Sequence, residues 1–108
     1  MSEGNGGLAA HQRSMPPVLP QDISSLARVL LAVPVQERSE VCSALFDHAT
    51  LAASHVANTG ELHDLWGNGT LDAVARNFSL AKEPFWDDPT YLNCLIIALH
   101  ELQRRISV

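Results

Sequence analysis

The chain has 108 residues, of which 46% are apolar, and both values are typical of one globular domain. Twelve Asp and Glu side chains outnumber seven Lys and Arg side chains, so the formal net charge at pH 7 is -5. Because a membrane-spanning helix needs about 20 largely apolar residues in succession and a nucleic-acid-binding domain needs a basic surface, the sequence excludes a membrane span and argues against direct binding to DNA or RNA.

The first 20 residues differ in composition from the rest, being polar and glycine-bearing and then proline-rich. Such a segment cannot bury enough apolar surface to stay ordered. We therefore expect a disordered or mis-annotated N-terminal extension over residues 1–20 and a single helical domain over residues 21–108. Met15 is an alternative start. The N-terminus lacks a charged segment followed by an apolar one, so no secretory signal is predicted.

The first helix is predicted to begin at Asp22, a good N-cap residue, and to run to Ala32. It ends there because Val33 precedes Pro34, and the residue before a proline is disfavoured in the α conformation. The predicted core-facing residues recur at the helical period: Ile23, Leu26, Ala27, Leu30 and Leu31.

The second helix is predicted to be the longest, from about Val35 to Asn58, with Gly60 as its C-terminal stop. Its later half is rich in alanine, so a partner helix could approach it closely. Gly67 and Gly69 then interrupt the chain before a short third helix. That helix is predicted to be capped by Asn68 or Thr70 and to end near Phe78.

The last helix has the clearest start, with Asp87 or Asp88 as the N-cap and Pro89 as the first helical residue. Because it is apolar over much of its circumference, we expect it to be central in the fold. We therefore predict an all-α fold, a compact bundle of three main helices plus one short helix. The stripe predicted to face the core is Leu92, Leu95, Ile96, Leu99, Leu102 and Ile106.

Five of the six aromatic residues lie between residues 63 and 92, a segment that is also acidic. Aromatic side chains bury large areas, so this segment is expected either to pack against the helices or to expose part of its surface to a partner. In the second case Glu83, Asp87 and Asp88 would surround the exposed part. The candidate binding residues are His63, Trp66, Phe85, Trp86 and Tyr91.

Catalytic and metal-binding patterns are absent from the sequence. His48 and His55 are seven residues apart, or about 10 Å along a helix, too far to share one ion. Cys42 and Cys94 lie in apolar helical patterns and have no CxxC spacing, so we expect two buried free thiols in a reducing compartment. We therefore predict no catalytic residues, no metal site and no cofactor.

Two stretches, LWGNGTL at residues 65–71 and EPFWDDPTYL at residues 83–92, resemble those of a family of small uncharacterised proteins from alphaproteobacteria. The resemblance covers about residues 16–106 and fits Met15 as the natural start. It implies a cytoplasmic bacterial protein and supplies no activity, so it assigns no catalytic residues.

These observations favour a non-enzymatic protein-interaction or regulatory module that acts through helix faces and the aromatic segment. Its partner would be another protein or a second copy of the chain, in which case the protein would form a homodimer. The alternative is a small-ligand-binding protein or enzyme with a pocket between helices. Trp66, Trp86, Tyr91 and a histidine would line that pocket.

Overall fold

The computed structural model describes residues 15–106, and over this range the fold is all-α, as predicted. Three main helices and one short helix follow one another, and no strand occurs within the described range apart from an isolated bridge between His63 and Gly67. The helices are α1 (Pro20–Leu31), α2 (Arg38–Thr59), α3 (Leu71–Ala75) and α4 (Pro89–Ile106), with a 3₁₀ turn at Val35–Glu37.

The N-terminal extension expected over residues 1–20 lies only partly within the described range. Residues 1–14 are outside it, so the expectation stays a prediction for them. Of the remaining six residues, Met15 and Val18 pack against the core and Pro20 begins α1.

Helix α1 begins earlier than predicted, because Leu19 is its N-cap and Pro20 occupies its first position. The prediction of Asp22 as the N-cap is therefore wrong. Asp22 lies inside the first turn, and its carboxylate accepts a hydrogen bond from the Leu19 amide at 2.8 Å. The fixed φ of proline suits the first helical position, which allows the helix to start at Pro20.

Helix α2 is preceded by the 3₁₀ turn and ends, as predicted, at Gly60, which adopts a left-handed conformation with φ of 75°. The close approach expected at its alanine-rich half is made by the loop before α3. A Cβ atom on Gly69 would lie 2.8 Å from the backbone nitrogen of Ala53 and 2.9 Å from the carbonyl oxygen of Ala49. Only glycine leaves enough space for this contact.

Helix α3 is capped by Thr70, whose hydroxyl accepts a hydrogen bond from the Ala73 amide at 3.1 Å. The helix ends at Ala75, three residues before the predicted end. The amides of Asn77 and Phe78 instead bond to carbonyls three residues earlier, so the chain continues as tighter turns.

Helix α4 begins as predicted, with the Asp88 carboxylate accepting hydrogen bonds from the amides of Thr90 and Tyr91, each at 3.0 Å. It packs most extensively against α1. The predicted core-facing stripe is correct for Leu95 and Leu102 and wrong for its other four members, because the helix is covered on one side only. Its buried residues are Tyr91, Cys94, Leu95 and Ala98, whereas Leu92, Ile96, Leu99 and Ile106 are exposed.

Arg105 ties the C-terminal end of α4 to α2. Its guanidinium pairs with Glu101 on its own helix and with Asp47 on α2 at 2.9 Å. It also donates to the carbonyl oxygen of Ser43 at 3.1 Å and lies 5.4 Å from the centre of the Phe46 ring. The sequence indicates only that a cation at this position complements the helix dipole.

Candidate interaction surface

Phe85 and Trp86 are the most exposed aromatic residues in the described range. The exposed fraction is 85% for Phe85 and 64% for Trp86. They are adjacent in the loop between α3 and α4, in a turn closed by a hydrogen bond from the Asp88 amide to the Phe85 carbonyl oxygen at 3.1 Å. Two large aromatic side chains thus face solvent from a hydrogen-bonded turn.

The loop that carries Phe85 and Trp86 is fixed to the helices on both sides. On the N-terminal side, Arg28 of α1 donates through Nε to the Ala81 carbonyl oxygen at 2.8 Å, and the backbone carbonyl oxygen of Arg28 accepts the Ala81 amide at 3.1 Å. On the C-terminal side, Asp88 caps α4. The turn is therefore held at both ends.

Tyr91 is completely buried at the start of α4 and belongs to the core. Its hydroxyl donates to Oε2 of Glu83 at 3.1 Å, which ties the loop to the helix a third time. Burial of the ring and the hydrogen bond to the Glu83 carboxylate both favour the neutral phenol and raise the pKa of Tyr91 to about 12. Tyr91 thus holds the loop from the core side and is not accessible to a partner.

Trp66 lies in a different cluster, next to α2. Its ring stacks on His48 with 4.2 Å between ring centres and 7° between planes. The Trp66 ring also stacks on Phe78, with 6.0 Å between ring centres and 10° between planes. Trp66 is half-buried and packs against the core, so this part of the aromatic segment is mainly a packed connection.

His63 organises the loop that contains Trp66. Its Nδ1 accepts hydrogen bonds from the amides of Leu65 at 3.1 Å and Trp66 at 3.2 Å, and its backbone pairs with Gly67. The His55 ring meets it edge-on, with 5.2 Å between ring centres. His63 therefore holds the backbone of this loop through both its side chain and its main chain.

The five candidate residues therefore divide into three groups. Phe85 and Trp86 are exposed together, His63 and Trp66 form a cluster against α2, and Tyr91 is in the core. Sequence reasoning missed His48 and His55 as neighbours of this cluster. Their spacing of seven residues, used above only to weigh a shared ion, also places them on one face of α2.

A second exposed apolar surface runs along α4. We call it the α4 stripe, and it consists of four aliphatic residues and the polar Gln103: Leu92, Ile96, Leu99, Gln103 and Ile106. Its aliphatic members have exposed fractions between 41% and 64%. The core-facing side of the same helix is fully covered by α1 and α2. The protein therefore has two separate apolar surfaces, one in the loop and one on a helix.

The chemistry available for catalysis or metal binding in the described range is limited. Over residues 15–106, no group of three or more His, Cys, Asp and Glu side chains could hold a metal ion. Cys42 and Cys94 are free and buried, as predicted. Burial, with the nearby Glu101 carboxylate, raises the pKa of Cys42 to about 12, so its thiol stays protonated and unreactive. Nor is any helix in this range long and apolar enough to cross a membrane.

Comparison with known proteins identifies a family for the chain. The model of a family described as "Domain of unknown function (DUF7742)" matches residues 16–102, which is most of the chain. No curated protein and no solved structure matches the chain.

Proposed function

We propose that the chain, which belongs to the DUF7742 family, is a non-enzymatic interaction module that binds another protein through Phe85 and Trp86. One observation carries this proposal: two adjacent aromatic side chains are held in solvent by a loop that is anchored at both ends. Aromatic residues, tryptophan above all, are enriched among the residues that contribute most to binding energy.

The fixed loop matters as much as the exposed rings. A partner that binds a disordered segment must order it, and the free energy of binding falls by the cost of that ordering. Here the hydrogen bonds of Arg28 with Ala81 and of Tyr91 with Glu83 already define the path of the loop. The two aromatic side chains are therefore presented in advance, which supports a binding role.

The charges around the loop define the kind of partner. Glu83 and Asp87 are exposed beside the two rings, and Asp88 is half-buried behind them, whereas Lys82 is the one basic residue in this stretch. The whole chain carries a net charge of -5. We therefore propose a partner with an apolar patch bordered by Lys or Arg, since complementary charge speeds association and disfavours acidic proteins. The resemblance noted above supports placing this interaction in the bacterial cytoplasm.

A ligand pocket shared by Trp66, Trp86 and Tyr91 has less support. Tyr91 is buried in the core, and Trp66 is engaged in its stack with His48 and Phe78. Trp86, by contrast, is mostly exposed. The three side chains therefore lie in three different environments, and a pocket needs them to converge.

The test is affinity capture from cells of the source organism with three forms of the tagged protein. The first is the wild type and the second combines Phe85→Ser with Trp86→Ser. The matched control is Leu51→Gln, because Leu51 is 55% exposed but lies on α2, away from the loop. Far-UV circular dichroism and thermal unfolding establish that all three forms are folded.

We expect one protein to be recovered in stoichiometric amount with the wild type and with Leu51→Gln. The double variant should recover at least about tenfold less of it, the loss expected when a hot-spot side chain is removed. Recovery should also fall at high salt, because the charged border contributes to binding. Equal recovery with the double variant, or no stoichiometric protein with the wild type, would contradict the proposal.

A further inference from the structure

We propose that a second copy of this chain packs antiparallel against α4 and covers the α4 stripe. The inference concerns a different surface from the loop with Phe85 and Trp86, and it does not rest on the function proposed above. Phe85 and Trp86 are not members of the α4 stripe.

The spacing of the α4 stripe is that of a coiled-coil seam. Its members are separated alternately by four and three residues, from Leu92 to Ile96, Leu99, Gln103 and Ile106. This repeat places one side chain per half-heptad along a single line of the helix, as needed for knobs-into-holes packing with another helix. With 18 residues and a rise of 1.5 Å per residue, α4 is about 27 Å long, so the seam extends over its whole length.

The stripe complements itself when two copies run in opposite directions. With the two-fold axis between Ile96 and Leu99, each Ile96 faces Leu99 of the second copy. Leu92 then faces Gln103, and Pro89 at the start of the helix faces Ile106. Every layer thus contains at least one aliphatic side chain and no charged one. An isologous contact of this kind closes at two copies.

The charges at the two ends of α4 favour the antiparallel arrangement. Asp87 and Asp88 lie at its N-terminal end, and Arg104 and Arg105 lie in its last turn, where both pair with Glu101 and Arg104 stays the more exposed. Antiparallel packing brings the acidic end of one helix beside the basic end of the other and also opposes the helix dipoles. Parallel packing would place like charges together at both ends.

The exposed area of the α4 stripe indicates a small contact between the two copies. The four aliphatic members expose areas equal to about two whole side chains per copy. A helix face about 27 Å long and about 10 Å wide is smaller than the roughly 800 Å² per partner of a standard interface. The expected dimer is therefore weak and reversible, so its population should rise with protein concentration.

Sedimentation velocity of the full chain, from low to high micromolar concentration, measures this association. We expect the wild type to shift from the mass of one chain to that of two. Leu99→Glu should remain a monomer throughout, because dimerisation would bury two new carboxylates, one in each copy, against the aliphatic Ile96 of the other copy. The control Leu51→Glu, at a comparably exposed site on α2, should dimerise like the wild type.

A double variant tests the direction of packing. When Ile96→Lys is combined with Leu99→Glu, the new charges face opposite charges in the antiparallel register and like charges in the parallel one. We expect dimers to reappear in the double variant. A wild type that stays monomeric at high micromolar concentration, or a Leu99→Glu variant that still dimerises, would overturn the inference. A double variant that remains monomeric would overturn the antiparallel arrangement.

Discussion

Asp22 and Asp72 are joined by a hydrogen bond between a side chain and a backbone 50 residues away, in which Oδ1 of Asp22 accepts the Asp72 amide at 2.9 Å. The other oxygen of the same carboxylate accepts the Leu19 amide at 2.8 Å. One buried side chain therefore satisfies amides at the N-termini of both α1 and α3. Its position fixes α3, and with it the end of the loop that contains Trp66.

Asp22→Ala should lower the free energy of unfolding by about 1–4 kcal/mol, because two amides near helix N-termini lose their acceptor and each cap is worth about 0.5–2 kcal/mol. The measurement is urea unfolding followed by circular dichroism. Asp64→Ala, at an exposed loop position, is the control and should change stability by less than about 0.5 kcal/mol. Equal stabilities of the two variants would contradict the double-cap interpretation.

Gly69 and Gly60 form a matched pair for testing the close contact at α2. Both have positive φ, but a Cβ on Gly60 would meet nothing within 4 Å, whereas one on Gly69 would lie 2.8 Å from the Ala53 backbone nitrogen. Gly60→Ala should cost about 1 kcal/mol from backbone strain alone. Gly69→Ala should cost about 1–3 kcal/mol more, the usual cost of overpacking, because here the obstacle is backbone and cannot move aside easily. If the two variants lose similar amounts of stability in thermal or urea unfolding, the contact between Gly69 and α2 is not as tight as the structure indicates.

Tyr91 is the only tyrosine in the chain, so its ionisation can be followed by absorbance without interference from another phenol. Its pKa should be about 12 in the folded protein, against an ordinary value of 10.0, because of burial and the Glu83 hydrogen bond. Since the folded state favours the neutral phenol, its contribution to stability is complete below pH 10 and is lost as the pH rises toward 12. Glu83→Gln should lower the Tyr91 pKa while leaving the ring buried. Tyrosinate formation near pH 10, in protein that is still folded, would contradict this assignment.

Local signals explain the parts of the fold that the sequence predicts correctly. The pair Asp88-Pro89 marks the start of α4 and Gly60 marks the end of α2, because capping depends on residues within one turn. The start of α1 was missed for a related reason. Asp22 is favourable both as an N-cap and within the first turn. Pro20 distinguishes these two positions, because proline favours the first position of a helix.

Contacts between distant segments explain what the sequence could not supply. Leu92, Ile96 and Leu99 fit a core-facing stripe as well as Leu95 does, and only the packing of Tyr91 and Leu95 against the other helices selects the buried side. In the same way, no local pattern indicates that Trp66 stacks on His48 or that Trp86 stays exposed. Whether an aromatic residue binds a partner or fills a core depends on such tertiary contacts.

If Trp86 lies at the interface with the protein partner, binding should change its fluorescence, which a Trp66→Phe variant isolates. This variant retains Trp86 as its only tryptophan. The emission of the free protein should be that of an exposed indole and should be readily quenched by acrylamide, because Trp86 is 64% exposed. When the captured partner is added in a form without tryptophan, we expect the emission to shift to shorter wavelength and the quenching to fall. A complex that forms while emission and quenching stay unchanged would contradict the claim.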